Sequence, residues 1–206
     1  MNIPCKVCEK RRAKRSCPGV GGDICPVCCG TEREVTIDCP LDCAYLIEAR
    51  QHDRPPEIDP ASIPNQDIRV SEDFVRAQEH LFLWLGLALT RAMMEGQAVD
   101  ADAREAIEAL IRTYRTRDSG LIYETRPTNP YAAAIQDALK DSVEELSKRI
   151  AEASGVHSLK DSDVLNILVF FQRLEYQYNN GRRRGRAFLS MLAETFRAAP
   201  EPSVTA

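Results

Sequence analysis

All eight cysteines of this 206-residue chain fall between Cys5 and Cys43. They run Cys5-x2-Cys8, Cys17, Cys25-x2-Cys28, Cys29 and Cys39-x3-Cys43. A CxxC pair sets two thiolates on one tight turn, aimed at one tetrahedral ion. In Cys25-Pro26-Val27-Cys28-Cys29-Gly30 the proline presets that turn. Gly30 permits a positive φ just after it, and backbone N–H groups then face the sulfurs. Eight cysteines make two closed four-thiolate sites, and structural zinc is the usual occupant of such sites. Two zinc ions held by Cys5, Cys8, Cys17, Cys25, Cys28, Cys29, Cys39 and Cys43 are the expectation. Disulfides would need an oxidising compartment, and the opening MNIPCKVCEK has no apolar signal-peptide core. A CxxC redox dithiol lacks its βαβ context, and an iron–sulfur cluster would need only four cysteines. A thiol sensor using Cys28 and Cys29 is a second alternative.

Catalysis finds little support. A closed four-thiolate zinc leaves no open position for water. The histidines, His52, His80 and His157, sit in different segments, and no HExxH, GxSxG or P-loop occurs. The expectation is a non-enzymatic protein. Two basic runs are candidate contacts for phosphate or an acidic partner: Lys10, Arg11, Arg12, Lys14 and Arg15, then Arg182, Arg183, Arg184 and Arg186. Against each stands a plainer use. The first run offsets the charge of about −2 on a four-thiolate zinc, and the second is a solvated loop between helices.

Few large apolar residues occur in 1–50, so this segment needs a metal staple to fold. It is expected to unfold on chelation while the remaining chain keeps its helices. The spacing resembles the small two-zinc modules of the HIT, MYND and B-box kinds, which hold their ions through crossed pairs and bind other proteins. That resemblance implies Cys5, Cys8, Cys25 and Cys28 on one zinc, and Cys17, Cys29, Cys39 and Cys43 on the other. It covers residues 5–43 alone and departs from those modules in having no histidine ligand. A sequential grouping, Cys5, Cys8 and Cys17 with a later cysteine, is the competing arrangement. The string CPVCCGTEREVTIDCPLDC also resembles uncharacterised bacterial proteins that join such a module to a helical domain. Asp42 is the expected cap of a short helix from Cys43.

The elements that must carry this module follow from composition and period. Residues 51–70 hold Pro55, Pro56, Pro60 and Pro64 and read as an extended linker. From Ser71, an N-cap followed by Glu72 and Asp73, apolar residues recur at helical spacing to near Gly96. Asp100 is placed to cap a second helix, and Asn129–Pro130 opens a third that carries Tyr131, Ile135, Leu139 and Leu146 and ends at Gly155. Asp161 or Ser162 opens a fourth, and Phe188, Leu189, Leu192 and Phe196 lie on a last one. Leu121–Tyr123 takes no assignment. The fold class is mainly α: a two-zinc module (1–50), the linker (51–70), a four- to five-helix bundle (71–199) and a flexible tail (200–206).

Leu81 to Leu89 is apolar all round its helix, which serves a central core position or a homodimer interface. At nine residues it is far short of the about 20 that span a bilayer, so no membrane partner is expected. The chain is 44% hydrophobic and 28% charged, which excludes global disorder. Its net charge of −4 gives no overall attraction to polyanions. The function expected is therefore macromolecular recognition in the cytoplasm, with the zinc module docking a protein partner. RNA or DNA binding through the basic runs is the alternative.

Overall fold

The computed structural model describes residues 3–53, 57–120, 123–154 and 159–197. An antiparallel hairpin, β1 (Arg15–Cys17) and β2 (Gly22–Ile24), pairs Arg15 with Ile24 and Cys17 with Gly22. Its turn needs a left-handed residue, and Gly21 supplies it at φ 59°. Two short helices follow, α1 (Pro26–Glu32) and α2 (Ala44–Arg50). Pro26 sits at the first position of α1, where its missing N–H costs nothing, and the Cys25 sulfur accepts from the Cys28 N–H. Gly30 is inside α1 and not at a positive-φ turn, because the helix runs on to Glu32. Cys43 rather than Asp42 occupies the N-cap of α2, and the helix begins one residue later than its spacing suggests. Ile24, Ile37, Leu46 and the buried cysteines form a small core of their own.

Helices α3 (Glu72–Ala77), α4 (Glu79–Glu95), α5 (Asp100–Asp118), α6 (Pro130–Ser154), α7 (Asp161–Tyr178) and α8 (Ala187–Phe196) make the rest, so the chain is mainly α with a small N-terminal module. Ser71 caps α3 through a bond from the Phe74 N–H, and Asn129 caps α6 through one from the Tyr131 N–H. The single helix expected from Ser71 to Gly96 is two. The break falls at Gln78, whose side-chain amide donates to Asp163 at 3.3 Å. Apolar spacing runs straight through this point, so the break answers to tertiary contact and not to local propensity. Asp100 does not cap its own helix. Its carboxylate instead accepts from the Phe188 and Leu189 N–H groups at the start of α8, and Asp102 closes the start of α5.

α4 packs against α6 and α8, while α5 packs against α6 and α7. Leu81, Leu85, Leu89 and Met93 are buried, whereas Phe82, Leu83, Trp84, Leu87 and Ala88 are half-buried, so the apolar run of α4 supplies one face to the core. Gly86 lets the ring of Phe196 lie directly on α4, since a Cβ there would stand 2.1 Å from Phe196 Cζ. Tyr131, expected on the inner face of α6, is exposed. Residues 60–70 are not a free spacer. Arg115 bonds both carboxylate oxygens of Asp67 at 2.8 and 2.9 Å, and Arg173 donates to the carbonyls of Asn65 and Ile68 at 2.8 Å. Those bonds tie this stretch to α5 and α7. No described helix is long and apolar enough to cross a membrane. Pro55, Pro56, Leu121, Gly155, His157 and the 200–206 tail lie outside the described residues.

Candidate metal centre

The sulfurs of Cys5, Cys8, Cys25 and Cys28 all lie within 4.8 Å of one another. The segment before Cys5 pairs with the one after Cys8: Cys5 N–H donates to Arg11 O at 2.8 Å, and Ala13 N–H to Ile3 O at 2.9 Å. That pairing folds the first CxxC into a tight turn, with Glu9 left-handed at φ 54°. The second CxxC is the start of α1, and the Cys25 N–H reaches across to the Cys5 sulfur at 3.1 Å. The grouping is the crossed one. Cys17 is not a member of this cluster, so the sequential arrangement is not formed.

The donor set fits a tetrahedral thiophilic ion, whose bonds of about 2.3 Å separate the sulfurs by about 3.8 Å. Charge argues the same way. Burial pushes the Cys5 thiol up, but N–H groups of Cys8, Cys25 and Val7 outweigh it and bring the group down to about 6. Burial raises Cys28 to about 12, with the sulfurs of Cys25, Cys8 and Cys5 adding to it. Four thiolates so close would repel one another, which holds Cys28 as a thiol until a divalent cation at the centre offsets that repulsion.

Cys17, Cys29, Cys39 and Cys43 come together more loosely. They line one small cavity with Arg33 and Tyr45, and among the described residues they do not reach the spacing of the first set. Cys17, Cys29 and Cys39 are buried, and burial raises the Cys39 thiol. Arg15 donates to the Cys29 sulfur at 3.3 Å while its guanidinium lies 4.5 Å from the Tyr45 ring centroid. Arg33 reaches the same sulfur at 3.9 Å. The pKa of the exposed Arg11 guanidinium is raised above its ordinary value by the Cys25 and Cys8 groups beside it. Arg15 of the first basic run thus faces a thiol, whereas Lys10, Arg11, Arg12 and Lys14 are exposed.

No family model, curated protein or solved structure matches the chain. Function must be argued from its own geometry.

The second basic run is divided: Arg186 is buried and Arg182 half-buried, while Arg183 and Arg184 are exposed. Arg186 is 7% exposed. Its guanidinium pairs with Asp38 and donates to the carbonyls of Ala98 and Gln97 at 2.9 and 2.8 Å. That leaves it no surface on which to meet a phosphate. Arg182 donates to Arg33 O at 2.8 Å, and Arg184 lies 3.5 Å from Asp38. Arg183 alone of the four is exposed without such a bond among the described residues.

The residue that gathers this loop is Glu34, 1% exposed and absent from any motif. It accepts from Arg50 at 2.8 Å, Asn180 at 2.9 Å and the Arg186 N–H at 3.0 Å, while its carbonyl accepts from Arg184 N–H at 2.7 Å. Glu34 and Asp38 therefore dock the segment between Cys29 and Cys39 onto the α7–α8 loop. Gly19 allows the close approach beneath it, since a Cβ would stand 2.4 Å from Asp38 O. The available signal was a dense arginine run with too few local carboxylates, which asks for acidic partners elsewhere in the chain.

Proposed function

We propose that this chain is a non-enzymatic, cytoplasmic recognition protein whose N-terminal module is held by two structural zinc ions and docks a protein partner. The carrying observation is the convergence of Cys5, Cys8, Cys25 and Cys28 within 4.8 Å. Zinc is the ion best suited to four closed thiolates, because soft sulfur donors and a tetrahedral cage match its preferences. Cys17, Cys29, Cys39 and Cys43 would hold the second ion, with Arg15 and Arg33 offsetting the thiolate charge. The likeness to HIT, MYND and B-box modules supports a docking role. So does the inward engagement of Arg182 and Arg186, which takes two of the four arginines of that basic run away from any nucleic-acid surface.

Native mass spectrometry of the full chain, purified without chelator or added metal, is the test. Two zinc ions per chain are expected. A single ion would confine the reading to the first cluster. A metal-free chain with mass losses of paired hydrogens would replace it with the thiol sensor at Cys28 and Cys29.

A further inference from the structure

We infer that the outer face of the Cys5–Cys8–Cys25–Cys28 cluster is the docking surface and that it takes an acidic segment bearing aliphatic side chains. This rests on the recognition role proposed above and names the chemistry of the partner. Val7 and Val27 occupy equivalent places, each the residue before the second cysteine of a CxxC turn. The turns are locked to one sulfur cluster, yet both valines are exposed, at 40% and 49%. Ile3, two residues ahead of Cys5, is 55% exposed. Apolar side chains on a backbone this constrained lose little freedom when a partner covers them.

Cations stand beside them. The bonds from Ala13 N–H to Ile3 O and from Cys5 N–H to Arg11 O lay the basic run along the segment that carries Ile3. Arg15 is engaged by the Cys29 sulfur, and the Lys6 ammonium by the carbonyls of Val20 and Gly21 at 2.8 and 2.9 Å. Lys10, Arg12 and Lys14 are left exposed, with no ion pair among the described residues. Between Ile3 and Arg15 the only carboxylate is Glu9. Exposed aliphatic side chains on the two cysteine turns, with cations free of ion pairs on the adjoining segment, are complementary to a segment of Asp or Glu interspersed with Leu, Ile or Val. It is a poor match for single-stranded nucleic acid, which needs aromatic platforms. Tyr45 is the only aromatic residue in 1–50, and the Arg15 guanidinium already covers its ring.

The experiment pans a library of random peptides over the zinc-loaded full chain and measures binding of the enriched peptides by fluorescence anisotropy. Enriched peptides are expected to be acidic and aliphatic. Their affinity should fall about tenfold in V7S/V27S and again in K10E/R12E/K14E. Both variants are checked for bound zinc by native mass spectrometry. Should the serine variant lose its metal, the charge-reversed variant, altered only in exposed side chains, carries the test. Peptides without this bias, no enrichment at all, or affinities unchanged in the charge-reversed variant would overturn the proposal. Peptides that bind elsewhere would leave the recognition role standing without this surface. Oligonucleotide binding that is lost in K10E/R12E/K14E but kept in V7S/V27S would make the partner a nucleic acid instead. A chain that carries no zinc would fail the earlier reading before this one is reached.

Discussion

Asp100 shows how one side chain can join two helices and make their union pH-sensitive. Burial raises its pKa from 3.8 to about 7, against the two N–H groups of α8 that favour the anion, and the charges of Glu175 and Glu34 raise it further. Between those values the folded chain holds a proton that the unfolded chain has lost. The contribution is therefore complete below about pH 4 and disappears as the pH rises through about 7, with a ceiling on the order of a few kcal/mol. Urea midpoints followed across this window should decline with pH in the natural chain more steeply than in Asp100→Asn. Taking the difference between the two cancels the pH dependence of the cysteines, which both share. Parallel profiles would show that Asp100 keeps an ordinary carboxylate pKa.

At the scale of elements, the contact between α4 and α8 turns on the absence of a side chain at Gly86. Gly86→Ala drives a methyl into the Phe196 ring and should cost about 1–3 kcal/mol, or a melting temperature lower by about 3–10 °C. The loss should shrink when Phe196 is replaced by leucine, which opens the site. Equal losses in both backgrounds would place the strain elsewhere. Much at this scale was legible beforehand. Ser71 and Asn129–Pro130 marked helix starts because capping is local chemistry, and the CxxC pairs marked the turns that bring four sulfurs together. The break at Gln78 and the trans-cap at Asp100 were not legible, since their partners, Asp163 and Phe188, lie far along the chain. The burial of Arg186 is hidden from the sequence on the same ground: an arginine whose acceptors are the Ala98 and Gln97 carbonyls reads in sequence like one facing water.

For the whole molecule, the cysteine module and the bundle are coupled through Glu34 and Asp38, so the expectation that chelation leaves the helices untouched needs refining. A strong chelator should unfold residues 1–50 and leave most of the helical far-UV signal at room temperature. The bundle should nonetheless melt several degrees lower, about 2–4 °C for each kcal/mol of docking lost. An unchanged melting temperature would show the docking to contribute nothing, and complete loss of helix would show the bundle unable to stand alone. The Glu34 contact also has a bearing on how the protein is made. Its acceptor groups are translated with the first fifty residues, but Arg184 and Arg186, which complete them, follow more than about a hundred residues later, a delay on the order of ten seconds at ordinary rates of synthesis. During that interval the nascent module has no bundle to lean on. Of the Glu34 partners, Arg50 is the one present until the last helix arrives.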